Sequence, residues 1–136
     1  MRRVAAPVAL LSLVGCQNSS GPTAPDGVRL GAPFLLRAGE SAEIQSEAVR
    51  ISFEMVTADR RCPSDVTCGW EGEARTALVF DLESEEPLRF ELSTHQPRNA
   101  DHAGYRTTLR RVLPEAPGAG ERIPPSDYVV ELQVDR

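Results

Sequence analysis

Between residues 49 and 55 the chain alternates strictly, with Val49, Ile51, Phe53 and Met55 interleaved by Arg50, Ser52 and Glu54. A period of two sends successive side chains to opposite faces of an extended strand, whereas a helix needs apolar residues three and four apart. The same period recurs along most of the chain. Residues 34–37 and 42–45 read as short strands on either side of a hairpin turn, Ala38-Gly39-Glu40-Ser41. Trp70, Ala74, Thr76, Leu78, Phe80 and Leu82 share one parity, with Cys68 on the same side, and Glu71, Glu73, Arg75 and Asp81 take the other. After the turn Ser84-Glu85-Glu86-Pro87 come Leu88, Phe90 and Leu92, then Tyr105, Thr107 and Leu109, and last Tyr128, Val130, Leu132 and Val134. No stretch of useful length has helical spacing.

Seven short strands separated by turn signals, within the 109 residues from Val28 to the end, predict an all-β fold. The expected form is a seven-stranded antiparallel immunoglobulin-like β-sandwich, with a small β-barrel as the alternative. Two connections are long, residues 94–104 and the proline-rich 114–127, and both read as solvent-facing loops of the kind that carry binding residues.

The first 27 residues stand apart. Met1-Arg2-Arg3 is basic, residues 4–14 are apolar apart from Pro7 and Ser12, and Gly15-Cys16 follows. The apolar run is too short for a permanent membrane helix and reads as a signal peptide over residues 1–15. Leu13-Val14-Gly15-Cys16 resembles the lipobox of bacterial lipoproteins. That resemblance implies cleavage before Cys16 and acylation of its thiol and amine, which accounts for an odd cysteine among three. Several acyl chains on one residue anchor stably where a single chain is marginal. Gram-negative lipoproteins held in the inner membrane tend to carry aspartate after the cysteine. Gln17 here implies the outer membrane in a cell that has one. Residues 16–27 are small and polar and read as the acylated cysteine and a flexible tether, leaving 28–136 as one domain facing the extracytoplasmic side.

In an exported domain the remaining cysteines, Cys62 and Cys68, are expected to form a disulfide, because export delivers them to an oxidising compartment. Closing a loop of seven residues stabilises the fold by about 2.4 kcal/mol on the chain-entropy account. The bridge sits in the stretch 59–72, which also holds the chain's one tryptophan, and which reads as a crossover between the two longest strands. Parity places Trp70 inward, beneath the disulfide. Asp59 and Arg61 are expected to pair and tie down the loop, so that Asp59, Arg61 and Trp70 are structural. Arg60 and Glu71, neighbours of the two inward residues, are left as the candidate binding residues. Asp59-x-Arg61-Cys62-Pro63, then Cys68-x-Trp70-x-Gly72, also resembles a motif of small exported bacterial proteins. The likeness supports the domain boundaries and the disulfide, and implies no chemistry.

Catalytic patterns are missing: no Gly-x-Ser-x-Gly, no His-Glu-x-x-His, and no glycine-rich phosphate loop. Ser93 and His95 are neighbours in sequence, but strand geometry gives them no reason to act as nucleophile and base. A metal site of Cys62, Cys68, His95 and His102 is the sharper alternative to the disulfide, although the cysteine spacing is longer than in zinc ribbons or fingers. No cofactor motif and no favoured metal site emerge. Without Arg2 and Arg3, thirteen basic residues face twenty acidic ones, a net charge of −7, which argues against nucleic acid as a partner. The expected function is therefore that of a lipid-anchored envelope module that works, without catalysis, by binding an envelope protein or by structural interaction in an assembly. A protease inhibitor presenting the braced loop is one alternative. An enzyme or metal carrier using converging carboxylates or the histidines is the other.

Overall fold

The computed structural model describes residues 27–136. The stretches expected to be a signal peptide, 1–15, and an acylated cysteine with its tether, 16–27, lie outside the described residues except for Gly27. The domain is a two-layer antiparallel sandwich of eight strands: β1 (Phe34–Arg37), β2 (Ser41–Ile44), β3 (Val49–Asp59), β4 (Ala74–Leu82), β5 (Leu88–Ser93), β6 (Asn99–His102), β7 (Tyr105–Leu113) and β8 (Val129–Asp135). One sheet runs β2-β3-β4-β5 and the other β1-β8-β7-β6, and neither closes into a barrel.

Alternation becomes burial as expected. Ile44, Ile51, Phe53, Leu78, Phe80 and Leu92 from the first sheet meet Leu36, Leu109, Val130, Leu132 and Val134 from the second, all at 2% exposure or less. Each such side chain contributes about 1.5–3 kcal/mol through burial, and together they set which face of every strand turns inward.

The strands and their connections depart from the sequence reading at four places. The eighth strand, β6, lies in the region expected to be loop. Its Asn-Ala-Asp-His sequence has no apolar alternation, because it is an edge strand with little to bury. It pairs with β7 through a two-residue turn in which Ala103 and Gly104 both have positive φ, 49° and 82°. Secondly, the turn after Arg37 is no hairpin. β1 pairs with β8 and β2 with β3, so the turn carries the chain from one sheet to the other.

Thirdly, the stretch 59–72 joins strands that are neighbours in one sheet, so it is a hairpin end rather than a crossover. Lastly, Met55 is 52% exposed although parity put it inside. The register slips between Phe53 and Met55 and again between Val56 and Ala58. Each slip absorbs one residue, so Phe53, Val56 and Asp59 all fall on the inward side and Met55 is turned out. The two slips cancel, and Asp59 recovers the parity that uninterrupted alternation would have given it.

Candidate functional site

Beyond Asp59 and Ala74 the β3–β4 hairpin continues without regular pairing. The Arg60 N–H donates to the Glu73 carbonyl at 2.7 Å and the Cys62 N–H to the Glu71 carbonyl at 3.0 Å. Between these bonds Gly72 has φ +71°, and a Cβ there would lie 2.0 Å from the Arg60 carbonyl oxygen, so only glycine lets the two legs approach. Past this pinch Cys62 and Cys68 are joined in a disulfide, their Cα atoms 5.9 Å apart. The expected bridge is present.

One ion pair ties this end to the other sheet. Arg61 donates from Nε and Nη2 to the two oxygens of Asp59, at 2.8 and 2.6 Å. Its Nη1 donates to the carbonyls of Val112 and Pro114, at 3.1 and 2.8 Å, where β7 runs out. The Tyr128 hydroxyl, just ahead of β8, donates to Asp59 Oδ2 at 3.0 Å. The Arg61 and Asp59 side chains are only 11% and 15% exposed. Burial pushes the Asp59 carboxyl up, but the Arg61 hydrogen bond and charge, helped by the Tyr128 hydroxyl, outweigh it and hold the group below the usual carboxylate range. Burial, then the bond to Asp59, pushes the Tyr128 phenol up to about 12. The pairing of Asp59 with Arg61 was legible in the sequence; the part of Tyr128, sixty-nine residues away, was not.

The loop 114–127 packs on the disulfide loop as a second brace. The Ser64 N–H donates to the Pro117 carbonyl at 3.1 Å, and the Ala119 N–H to Asp65 Oδ1 at 2.7 Å. A short 3-10 turn, Pro125–Asp127, then leads into Tyr128. A groove of about 590 Å³ runs between this loop and the end of β3.

Trp70 overturns the expectation placed on it. It is 66% exposed and does not lie beneath the disulfide. The alternation of β4 begins at Ala74, and the left-handed Gly72 breaks the count between Ala74 and Trp70, so the inferred parity does not reach the indole. Trp70 instead forms one wall of a cleft of about 490 Å³, with Glu71, Glu73, Arg75, His95 and Gln96. Arg60 and Glu71 are exposed as expected, and neither makes a side-chain ion pair among the described residues.

Under the cleft lies a network that sequence reasoning missed. The Ser93 hydroxyl donates to Glu73 Oε2 at 2.6 Å, Arg75 Nε donates to Glu73 Oε1 at 3.0 Å, and the His95 N–H donates to Ser93 Oγ at 3.0 Å. Ser93 first, then Arg75, holds the Glu73 carboxyl below its ordinary range. The available signal was the pairing of strands: Ser93 lies opposite Arg75 on the outer face of the first sheet, two residues along β4's line from Glu73.

The residues of the alternative metal site are not brought together. Both thiols are taken up in the disulfide, His95 lies at the Trp70 cleft, and the His102 ring stacks edge-on against Phe80 at 5.0 Å, its Nε2 3.5 Å from Glu85. Carboxylates do converge at the opposite end of the first sheet, where Glu43, Glu47, Asp81 and Glu83 line a groove of about 370 Å³. Glu43 is paired with Arg50 at 2.6 Å, and Glu47 accepts from Tyr105 and Arg136.

Compared with family models, with curated proteins and with solved structures, the chain matches none.

Proposed function

We propose that this protein is a lipid-anchored module of the cell envelope that binds another envelope component through the disulfide-braced end of its sandwich, without catalysis. One observation carries the reading: the exposed side chains Arg60, Val66, Trp70 and Glu71 sit on a hairpin end fastened to both sheets. An exposed tryptophan on slack chain would lose conformational entropy on binding, whereas here the disulfide and the Arg61 clamp have already ordered the backbone that presents it. Acylation at Cys16 would hold the domain at the membrane, facing the extracytoplasmic side, and in an outer membrane where the cell has one.

The test is retention by isolated envelope of residues 28–136, the folded domain without the acylated cysteine that would hold the full chain in any membrane. Trp70→Ala and the double variant Arg60→Ala with Glu71→Ala should each lower retention at least about tenfold. Arg50→Ala, at the far end of the sandwich, should change nothing. Equal retention of all four proteins would dismiss the reading.

The protease-inhibitor alternative is favoured by a single feature, Val66, which is 48% exposed within the disulfide-closed loop. Stoichiometric inhibition of a serine protease of elastase-like preference, lost in Val66→Asp, would establish it. Cleavage of the loop without inhibition would remove it.

A further inference from the structure

We infer that the cleft beside Trp70 is a binding site for a pyranose ring of a neutral glycan. The inference rests on the reading of the domain as an envelope-binding module and names the class of ligand.

An indole left two-thirds exposed forgoes burial that the core could have supplied, and here it is held that way by covalent and ionic braces. Facing it are only planar or polar side chains: the carboxylates of Glu71 and Glu73, the Arg75 guanidinium, the His95 imidazole and the Gln96 amide. Together they offer donors and acceptors side by side, which is what a ring of hydroxyls requires, since every hydroxyl both donates and accepts. The C–H face of a pyranose is apolar and slightly positive and fits the negative face of an indole. A cleft of about 490 Å³ lies in the ordinary range for a small ligand, about 300–1,000 Å³.

The floor of the cleft is arranged in advance. Glu73 is held from both sides by Ser93 and Arg75, and the His95 backbone is fixed by the same Ser93 hydroxyl, whose residue is 2% exposed. These contacts also weigh against other ligands. A cationic peptide would meet the Arg75 guanidinium and find Glu73 already engaged, leaving Glu71 as its one unpaired carboxylate. An anion would meet both glutamates, and an apolar partner would strand five polar side chains. A neutral ring with one apolar face has none of these conflicts.

Trp70 is the chain's one tryptophan, so its fluorescence reports the cleft directly. The full chain would be held in phosphatidylethanolamine and phosphatidylglycerol vesicles. It would be titrated with chitohexaose, cellohexaose, maltohexaose, xylohexaose and deproteinised envelope polysaccharide, with tetralysine as the cationic control. A saturable shift of emission and at least threefold protection from acrylamide quenching is expected with one of the saccharides. By saturation-transfer NMR on the variants, Trp70→Ala should weaken that binding at least tenfold and Gln96→Ala several-fold. Glu71→Gln, which keeps an acceptor and loses only charge, should stay within about threefold. Melting temperatures unchanged from the parent would show that the variants remain folded.

Failure of every saccharide would overturn the inference, as would tetralysine binding abolished by Glu71→Gln. If envelope retention still depends on Trp70 in that case, the binding-module reading survives and only the ligand class falls. If retention is indifferent to Trp70 as well, both fall together.

Discussion

Trp70 and Arg61 lie nine residues apart and have opposite fates. Arg61, a residue type that prefers water, is nearly buried because four of its hydrogen bonds are met by Asp59 and two carbonyls, while the one tryptophan stands in solvent. Stability should follow the same inversion. Trp70→Ala, which a buried indole would make cost about 3–5 kcal/mol, should change it by no more than about 0.5 kcal/mol. Arg61→Ala should cost about 3 kcal/mol, because it leaves the largely buried Asp59 carboxylate without its cation. Urea denaturation of the two variants beside the parent checks both.

The clamp also sets how stability depends on pH. Asp59 is held below its unfolded value of about 3.9, so its contribution is fully present above that pH and is lost as the pH falls through the folded value. Tyr128 is raised from about 10 to about 12, so its contribution is present below pH 10 and is lost as the pH rises from there toward 12. Asp59→Asn should therefore flatten the acid limb of a stability profile. Tyr128→Phe should flatten the alkaline limb, leaving the share of Tyr105, which is raised in the same direction by its hydrogen bond to Glu47. Profiles with unchanged limbs would mean that the clamp does not hold in solution.

At the scale of elements, the β3–β4 hairpin depends on a pinch and a bridge in series. Gly72→Ala should cost about 2 kcal/mol or more, since alanine is strained at positive φ and its Cβ would also collide with the Arg60 carbonyl. Replacing both Cys62 and Cys68 with serine should cost about 2–3 kcal/mol while leaving circular dichroism in the strand region intact, because the ladder from Val49 to Asp59 lies wholly outside the bridged loop. Thermal melts of these two variants, with alkylation of the parent before and after reduction, give the comparison. Were Gly72→Ala neutral, the two legs would have another way to approach, and the account of why Trp70 faces outward would fail with it.

At the scale of the whole molecule, the prediction concerns the anchor. Cys16→Ala should block processing and leave the full-length precursor in the membrane, while the parent carries acyl mass on an N-terminal Cys16. Mass spectrometry of both proteins decides it. A mature N-terminus elsewhere, without acyl mass, would refute the anchor and leave the domain free of the membrane. Cleaved before Cys16, the chain would carry a net charge of −7, which would keep the domain off anionic lipid headgroups and leave the acyl chains to set its distance from the bilayer.

Alternation by itself determined the all-β class and, Met55 apart, the inward faces of β3, β4, β7 and β8, because burying a face of period two is a local property repeated along the chain; that the strands form two open sheets and not a barrel was decided by their pairing. The Asp59–Arg61 pair and the Cys62–Cys68 bridge were legible for a related reason: the partners are two and six residues apart, so few conformations could separate them. What the sequence left open depended on departures from period. Two register slips in β3 turned Met55 outward, the left-handed Gly72 exposed Trp70, and positive φ at Ala103 and Gly104 let a polar segment form β6. Each is a local break in the period of two, and only contact with a neighbouring strand decides where such a break falls. Tyr128 reaches Asp59, and Ser93 reaches Glu73, only once the sheets are assembled, since those contacts join segments 69 and 20 residues apart.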